Sequence, residues 1–238
     1  MVAATPSATN ETLARNNWRT FIRGLGNDEV QGPSVAAYLT NTLGARKICV
    51  VDDSTDYGLG LANAVAGRLG PVTAGGCKVE VKRGDKDFSA AVTQIKNARP
   101  DAVFYGGYYA EAAILVHQLR DAGVNATFAS GDASNDPEFV KQAGDAARNA
   151  LLSCPCAPAS GPFADRYQDA FSRQAGTYSA ESYDLATIMA KGVDAGKGTR
   201  PALLDYMHRY HGQGVARTYQ WNPNGELTDT RIWIYKVQ

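Results

Sequence analysis

Two tyrosines and one aspartate follow three short apolar segments that have the composition of buried strands. Tyr57 lies in the loop after the first segment, Tyr108 in the loop after the second, and Asp132 shortly after the third. In an open parallel sheet, ligands bind beyond the carboxyl ends of the strands, where the loops converge. Aromatic rings beside one carboxylate suit a small ligand that combines a cationic group with an apolar part. We therefore expect a binding site for such a ligand at this edge of the sheet.

Each of these residues also has a structural interpretation. Tyr57 and Tyr108 could simply cover the edge of the sheet. Asp132 could cap the helix that is predicted to begin near residues 136–137, because aspartate after a strand commonly accepts hydrogen bonds from the backbone of the next element. The binding-site hypothesis therefore requires all three side chains to lie together at one edge.

Catalytic and metal-binding interpretations of these loops fit the sequence less well. Asp52 and Asp53 follow a strand-like segment, as Mg²⁺-binding carboxylates of phosphoryl-transfer enzymes do, but Ser54 stands where an Asp-x-Asp pattern requires its second acid. Residues 58–60 resemble the start of a dinucleotide-binding fingerprint, although Asn63 occupies its third glycine position. The sequence contains neither G-x-S-x-G nor H-E-x-x-H. We expect no catalytic residue, no metal site and no cofactor, and hence a protein that is not an enzyme.

The four cysteines do not form a known metal or redox motif. Cys49 lies within an apolar strand-like run, which indicates an inert buried thiol. Cys154 and Cys156 are separated by one residue, whereas redox motifs and zinc ribbons place two residues between their cysteines. A disulfide from this pair to Cys77 is an alternative, and the sequence leaves the pairing open.

Composition argues against nucleic acid as a partner and against a membrane-spanning segment. The 238 residues contain 24 Lys+Arg and 24 Asp+Glu, so the formal net charge is zero. Nucleic acid is not expected as a partner, because phosphate binding needs a basic excess or stripe. No apolar stretch approaches the ~18–20 residues that span a bilayer.

The N-terminal residues lack the basic and apolar regions of an export signal, which predicts either a cytosolic protein or a chain whose front has been lost.

Strands and helices alternate over the first part of the chain. Pro33 is predicted in the first turn of the first helix, a position where its missing N–H has no partner to lose. Continuous apolar runs indicate strands that are covered on both faces, and the segments between them carry apolar residues at helical spacing. The predicted strands are 48–51, 77–81, 102–105 and 127–130. This alternation predicts an α/β fold with right-handed βαβ units and a doubly wound parallel sheet.

The composition of the chain changes near residues 154–162, which are rich in Pro, Gly, Ser and Ala and predict a connection between two lobes. The later segments are predicted helices at 163–174, 181–195 and 201–211, and strand-like ends at 218–221 and 231–237. These segments provide too few strands for a second sheet, and residues 1–26 are not expected to supply them. This part of the chain is therefore predicted to form an incomplete lobe.

Six short motifs follow one another at a spacing that is typical of one protein family. They are Gln31-Gly32-Pro33, Asp56 to Leu61 (DYGLGL), Asp87-Phe88-Ser89, Phe104 to Tyr109 (FYGGYY), Asp145-Ala146-Ala147 and Trp221 to Glu226 (WNPNGE). With these motifs the chain resembles the periplasmic branched-chain amino-acid-binding proteins, the type I clamshell receptors of ABC importers. The likeness extends from about Thr5 to the end, and the Tyr-Gly-Gly-Tyr-Tyr loop is its most specific part. It implies a type I periplasmic-binding-protein-like fold of two α/β lobes.

The resemblance implies a ligand-binding role for five residues. Ser7 and Thr9 match a segment of the first lobe in which a backbone carbonyl and a threonine hydroxyl hold the amino and carboxylate groups of the ligand. Tyr57 and Tyr108 match aromatic residues of the second lobe that close over the ligand. Asp132 stands where the family has a glutamate that pairs with the α-ammonium group. Because aspartate is one methylene shorter, the ammonium must sit deeper or be reached through water, and the choice of ligand stays open.

The family also implies how the chain is divided. Residues 27–156 with 220–238 match a complete C-terminal-type lobe, and residues 1–26 with 157–219 match part of the N-terminal-type lobe. Chains of the family begin well before the position of Thr5, and this preceding part supplies most strands of the first lobe and a serine-bearing loop of the carboxylate site. The resemblance therefore implies a truncated fragment, which alone should bind amino acids poorly.

The function implied by the resemblance is the capture of an amino acid, branched-chain or similar, by closure of the lobes, and its delivery to an ABC permease in the membrane. Such a protein is periplasmic or otherwise extracytoplasmic, and lipid-anchored in some full-length forms. An amide or amino-acid sensor, or a regulatory subunit on the same fold, is the alternative. A secretion or lipoprotein signal ahead of the chain favours transport, and its absence favours the sensor.

Overall fold

The computed structural model describes residues 2–70 and 73–238, in which strands and helices alternate. The strands are β1 (Ala3–Thr5), β2 (Phe21–Arg23), β3 (Ile48–Asp52), β4 (Thr73–Glu80), β5 (Ala102–Gly106), β6 (Thr127–Ser130), β7 (Leu151–Cys154), β8 (Gly212–Gln213), β9 (Thr218–Tyr219) and β10 (Trp233–Lys236). The helices are α1 (Thr12–Arg15), α2 (Asp28–Ala37), α3 (Asp56–Leu69), α4 (Ser89–Ala98), α5 (Tyr109–Asp121), α6 (Pro137–Ala143), α7 (Gly161–Phe171), α8 (Ser179–Asp194) and α9 (Arg200–Arg209). None of these helices in the described chain is both long and apolar enough to cross a membrane.

Within the described residues, the chain divides into two units. The sheet unit comprises Asp28–Cys154 with Ile234–Gln238, and the helical unit comprises Met1–Asn27 with Pro155–Trp233. Residues 220–233 are predicted to belong to the same lobe as 27–156, but they lie in the helical unit. The physical reason is that Trp221 and Leu227 pack with Ile22 in the apolar core of that unit.

The sheet unit contains the doubly wound parallel sheet that the sequence predicts. Its strand order is β10-β7-β6-β5-β3-β4, and the strands from β4 to β7 in this order run parallel to their neighbours. Side chains of β5 enter two apolar cores in alternation: Val103 and Tyr105 pack on the side of α4 and α5, whereas Ala102 and Phe104 pack on the side of α2 and α3. Coverage on both faces explains the continuous apolar runs of these strands and confirms the predicted fold class.

Helix α2 begins earlier than the sequence predicts. It starts at Asp28, so Pro33 lies inside the helix rather than in its first turn. Acidic residues at positions 28 and 29 favour a helix N-terminus at this point, although Pro33 has no N–H to donate to the carbonyl four residues earlier. Gly32 brings α2 close to α3, because a Cβ atom there would lie 2.5 Å from the Cβ atom of Ala64. Close packing on α3 thus offsets the hydrogen bond that Pro33 removes.

The helical unit is built around a small apolar core. Strands β1 and β2 pair in parallel, and β8 and β9 form an antiparallel pair. Residues 1–26 contain two short strands that the sequence does not predict, and the buried Ile22 anchors β2 in the core. Helices α7, α8 and α9 confirm the predicted helical segments, and Pro162 and Pro201 occupy the first turns of α7 and α9. The buried residues of this core are Ile22, Leu185, Ile188, Met207, Tyr219, Trp221 and Leu227.

The prediction of an inert thiol at Cys49 is wrong. Cys49 in β3 and Cys77 in β4 form a disulfide, with their Cα atoms 4.8 Å apart. The pairing of β3 with β4 brings the two residues together, which their spacing in the sequence does not reveal. All four cysteines lie in the described part of the chain, and each is disulfide-bonded. The alternative of a bond from Cys154 or Cys156 to Cys77 is therefore excluded.

Candidate functional site

The strand order of the sheet unit reverses between β3 and β5. The chain runs from β3 outward to β4 and then returns to the opposite side of β3 as β5. Ligands of open α/β sheets bind outside the carboxyl ends of the strands at such a switch point, because the loops diverge there and leave a crevice. Tyr57 follows β3 and Tyr108 follows β5, so the two predicted aromatic residues come from the loops that flank the switch point.

Tyr57 lies in the first turn of α3. The helix begins after Thr55, whose side chain accepts a hydrogen bond from the N–H of Gly58 at 3.0 Å. The hydroxyl group of Tyr57 donates to Oδ1 of Asp132 at 2.9 Å and accepts from the N–H of Ala133 at 3.2 Å. Burial, together with the negative charge of Asp132, raises the pKa of Tyr57 well above its ordinary value. The phenol therefore stays protonated and remains a donor to the carboxylate.

Tyr108 lies at the N-terminal end of α5 and beside Tyr57. The two ring centroids are 5.4 Å apart and the ring planes are inclined by 53°, a tilted arrangement that aromatic pairs favour. The guanidinium carbon of Arg83 lies 4.0 Å from the centroid of the Tyr108 ring, which is a cation–π contact. The structure thus brings together Tyr57, Tyr108 and Asp132, the three candidate residues of the sheet unit.

Asp132 does not cap the following helix. Helix α6 is capped by Asp136, whose side chain accepts from the N–H of Glu138 at 2.8 Å. Asp132 lies in a 3₁₀ turn after β6 and is 5% exposed. A carboxylate at this depth needs hydrogen-bond donors, and the side chains of Tyr57 and Gln31 supply them. Asp132 is therefore held as an acceptor at the carboxyl edge of the sheet.

Two residues of this arrangement are missed by the sequence analysis. Nε2 of Gln31 donates to Oδ1 of Asp132 at 2.8 Å and to the carbonyl oxygen of Ser153 at 3.0 Å. Gly131 leaves room for Tyr57, because a Cβ atom at position 131 would lie 2.6 Å from the hydroxyl oxygen. Gln31 belongs to a motif, yet no local pattern shows that α2 reaches a residue 101 positions later in the chain. For Gly131, the only sequence indication is a glycine between a strand and an aspartate.

Ser7 and Thr9 lie in the segment that follows β1 in the helical unit. Thr9 is 2% exposed, and its Oγ1 has no hydrogen-bond partner among the residues that the structure describes. A buried hydroxyl group without a partner is costly unless a ligand or a water molecule meets it. Ser7 is exposed, and its N–H donates to Oγ1 of Thr5 at 3.3 Å. Thr9 thus has a feature expected of a ligand contact, whereas the role of Ser7 stays a prediction.

Arg23 fixes the backbone around Thr9, a role that the sequence analysis does not anticipate. Its fully buried guanidinium group donates to the carbonyl oxygens of Ala8 and Asn10, on either side of Thr9. Glu226 accepts from Nε at 3.0 Å and from Nη2 at 3.1 Å. This bidentate pairing gives the guanidinium group a fixed orientation. The motif that ends at Glu226 therefore helps to shape the segment that carries Thr9.

The carboxylates considered for Mg²⁺ binding are engaged by the backbone. Oδ1 of Asp52 accepts from the N–H of Ser54 at 3.0 Å, and Oδ1 of Asp53 accepts from the N–H of Thr55 at 3.0 Å. Burial raises the pKa of Asp52, which disfavours the charged form that metal binding requires. Across residues 2–70 and 73–238, no three His, Cys, Asp or Glu side chains are grouped so that they could hold a metal ion.

Comparisons with known proteins identify a family and several relatives. A family model described as "Periplasmic binding protein" matches residues 2–238. A leucine-, isoleucine-, valine-, threonine-, and alanine-binding protein of Pseudomonas aeruginosa is 31% identical over 241 residues, which cover 98% of this chain and 64% of that protein. A Leu/Ile/Val-binding protein of Rhizobium johnstonii is 30% identical, with 99% of this chain and 66% of that protein covered. The chain thus spans less than two thirds of the length of these relatives.

Solved structures share the fold. A leucine-binding protein from Thermotoga maritima matches with a TM-score of 0.89 at 24% identity, which covers 100% of this chain and 70% of that chain. A branched-chain amino acid transporter substrate-binding protein from Streptococcus pneumoniae, solved in complex with isoleucine, matches with a TM-score of 0.81 at 24% identity. That match covers 100% of this chain and 73% of the other. The predicted likeness in fold to such proteins is confirmed.

Proposed function

The chain belongs to the periplasmic binding protein family, and from this premise we propose that it recognises a free amino acid, branched-chain or similar, as the solute-binding component of an ABC importer. The observation that carries the proposal is the contact of Tyr57 with both Asp132 and Tyr108. A carboxylate held by neutral donors beside two aromatic rings suits a ligand with an ammonium group and an apolar side chain. The names of the relatives, which are amino-acid-binding proteins, support the same class of ligand.

Each polar group of the amino acid has an assigned partner in this proposal. Asp132 pairs with the α-ammonium group, and Tyr57 and Tyr108 cover the apolar side chain. The hydroxyl group of Thr9 binds the carboxylate, and the backbone carbonyl of Ser7 accepts from the amino group. These assignments meet the requirement that charged groups removed from water are paired or hydrogen-bonded. The unpartnered hydroxyl of Thr9 supports its part in this scheme.

Closure of two lobes on the ligand completes the proposed mechanism. Closure excludes water and so strengthens the polar contacts to the zwitterion. A ligand that prefers the closed state shifts the population towards it, and a permease can recognise that state. Binding and release suffice for delivery, so the proposal includes no catalytic step and the protein is not an enzyme.

We place this function outside the cytoplasm, with the protein either free or lipid-anchored. The disulfide-bonded state of all four cysteines supports the location. Disulfides form and persist in oxidising compartments, whereas cytosolic thiols are kept reduced.

Isothermal titration calorimetry of the whole gene product against the standard amino acids and their amides tests the proposal. We expect saturable binding of at least one amino acid with an apolar side chain. Mass spectrometry of the released ligand is the control for turnover and should return it unchanged. Absence of heat with every compound contradicts the proposal, and so does chemical conversion of the bound ligand.

A further inference from the structure

Gln31 is a fully buried polar side chain that contacts the candidate site within the sheet unit. Its Nε2 atom lies 2.8 Å from Oδ1 of Asp132 and 3.0 Å from the carbonyl oxygen of Ser153. An ionised carboxylate and a backbone carbonyl can only accept hydrogen bonds, so these contacts identify the donor end of the amide. The other end of the amide is therefore its oxygen, Oε1, which cannot bond to either of these two groups.

The Oε1 atom of Gln31 is buried, and no donor in the described part of the chain meets it. Buried amide oxygens in folded proteins are hydrogen-bonded in the large majority of cases. The neighbouring hydroxyl group of Tyr57 cannot serve, because it donates its single proton to Asp132. An unmet acceptor next to a carboxylate is a suitable position for the N–H group of a ligand.

We propose that Gln31 selects ligands that carry a primary ammonium group, because its Nε2 orients Asp132 while its Oε1 accepts an N–H of the ammonium. This assignment rests on the proposed function and names a further specificity residue of the same site. Two neutral donors, from Gln31 and Tyr57, hold Oδ1 of Asp132 at 2.8 and 2.9 Å. A short aspartate side chain draws the ammonium towards the sheet and hence towards Gln31.

A purely structural role for Gln31 leads to a different expectation. Loss of either contact that the proposal gives to Gln31, the one that orients Asp132 or the one to the ammonium, weakens only ligands that carry an ammonium group, whereas an amide that merely supports the packing of the site would, when lost, weaken the binding of every ligand to a similar extent. An amide oxygen that contacts the ammonium affects only ligands that carry this group. Leucine and 4-methylpentanoate separate the two cases, because they share the carboxylate and the carbon skeleton and differ only in the amino group.

The test compares the whole gene product with its Gln31→Met and Gln31→Asn variants. Methionine keeps the size of the side chain without its hydrogen bonds, and asparagine withdraws the amide by one methylene. We expect both variants to bind leucine about ten- to a hundredfold more weakly, and 4-methylpentanoate less than about threefold more weakly. Ligand-observed NMR measures both affinities, since it extends to weak complexes.

Gln118→Met in α5 is the matched control. Gln118 accepts from the N–H of Phe88 at 2.8 Å and donates to the carbonyl oxygen of Lys86 at 2.9 Å, away from Asp132. This variant loses a comparable set of hydrogen bonds in the same unit and should leave both affinities unchanged. Thermal unfolding shows which variants are folded, and Gln31→Asn decides the outcome if Gln31→Met does not fold.

The possible outcomes separate this assignment from the function on which it rests. Equal weakening of leucine and 4-methylpentanoate in a folded Gln31 variant overturns the role of Gln31 as a ligand contact, and so does unchanged leucine binding. Both results leave amino-acid binding by the wild-type protein intact. A wild-type protein that binds no amino acid contradicts the proposed function itself. This result also contradicts the role assigned to Gln31.

Discussion

The hydroxyl group of Tyr57 connects the first turn of α3 to the turn after β6. It donates to Asp132 and accepts from the backbone of Ala133, so a single phenol fixes both the carboxylate and the turn that carries it. The donation requires a protonated phenol. Burial and the charge of Asp132 raise the pKa of Tyr57 from its ordinary value of 10.0 and keep the proton in place.

We predict that the Tyr57 contact makes the free energy of unfolding fall above about pH 10. The folded protein keeps the proton on Tyr57, whereas the unfolded chain releases it near pH 10.0. The unfolded state then binds fewer protons, so stability decreases as the pH rises, while below this range both states are protonated and the contribution is constant. Urea unfolding of wild type and Tyr57→Phe from about pH 8 to about pH 11 measures the effect. The variant should show a shallower decline, and parallel curves contradict a Tyr57 that stays protonated in the folded protein.

Gly131→Ala should displace Tyr57 from Asp132. The added Cβ atom would lie 2.5 Å from Cδ2 of Leu61 and 2.6 Å from the Tyr57 hydroxyl oxygen. We expect a loss of about 1–3 kcal/mol in the free energy of unfolding, and amino-acid binding that is weaker by about tenfold or more.

Gly67→Ala is the matched control, because nothing lies within 4 Å of a Cβ atom at this position of α3. Alanine in a helix interior should stabilise the protein by about 0.5–1 kcal/mol and leave binding unchanged. Full affinity in Gly131→Ala would show that ligand binding does not need Tyr57 at its observed position.

At the scale of elements, the 221–226 segment holds both the backbone and the side chain of Arg23. Nε1 of Trp221 donates to the carbonyl oxygen of Arg23 at 2.6 Å, and the N–H of Arg23 donates to the carbonyl oxygen of Gly225 at 2.9 Å. Gly225 has a φ of +81°, and its position admits no side chain because a Cβ atom would lie 2.0 Å from the carbonyl oxygen of Phe21. The segment therefore ties β2 to the backbone around Thr9 through Arg23 and Glu226.

Arg23→Lys should destabilise the helical unit. A lysine ammonium cannot span the three acceptors that the guanidinium group reaches, so buried acceptors lose their donors. We expect a loss of about 2–4 kcal/mol in urea unfolding. Arg148→Lys is the matched control, because its pair with Asp145 is exposed and long, at 3.8 Å. The control should change stability by less than about 0.5 kcal/mol, and an equally small effect of Arg23→Lys would contradict the anchoring role.

Strands β3 and β4 are joined by the Cys49–Cys77 disulfide, across a sequence separation of 28. A cross-link over a loop of this size stabilises by about 3–4 kcal/mol, mainly by restricting the unfolded chain. We predict that protein purified without reductant shows no thiol that reacts with a chromogenic disulfide reagent in denaturant. Reduction should lower the urea concentration at the midpoint of unfolding. A stoichiometric thiol in the denatured, unreduced protein contradicts the observed pairing.

At the scale of the whole molecule, the sheet could be predicted because strands that are buried on both faces consist of consecutive apolar residues. The predicted strand at 102–105 corresponds to β5, whose side chains are all buried. Strand β1 could not be recognised in this way, because its three residues are exposed or only partly buried. The family resemblance predicts residues 220–233 in the same lobe as 27–156, but apolar residues of this segment pack on Ile22, about two hundred positions earlier, and spacing alone does not show this contact.

The candidate site was predictable to the extent that it follows from strand ends. Tyr57 and Tyr108 follow strands that are visible as apolar runs, and parallel strands end at the same edge. Gln31 donates to Asp132 from a helix that no strand pattern connects to β6. Cys49 resembles any small apolar residue until the pairing of β3 with β4 places Cys77 beside it. Long-range contacts of this kind depend on the assembled fold, and the local patterns of a single sequence do not reveal them.

The residues proposed to bind the ligand are distributed over the chain. The sheet unit supplies the aromatic pair and the carboxylate, while the helical unit carries Ser7 and Thr9 on a segment that Arg23 fixes. In the proposed receptor, Asp132 is the group that distinguishes a ligand with an ammonium from one without it. Loss of the Asp132 charge should consequently cost more affinity than any other single change of similar size.

The affinity of the whole gene product for leucine, measured by calorimetry in wild type and in Asp132→Asn, tests the proposed receptor most directly. Asparagine keeps the size of the side chain and one acceptor oxygen but removes the negative charge that pairs with the ammonium. Asp121→Asn, at an exposed carboxylate of α5, is the matched control. We predict a loss of about a hundredfold or more for Asp132→Asn in a folded protein, and no change for the control. Wild-type affinity in Asp132→Asn would contradict the claim that this carboxylate, with Tyr57 and Tyr108, binds the amino acid.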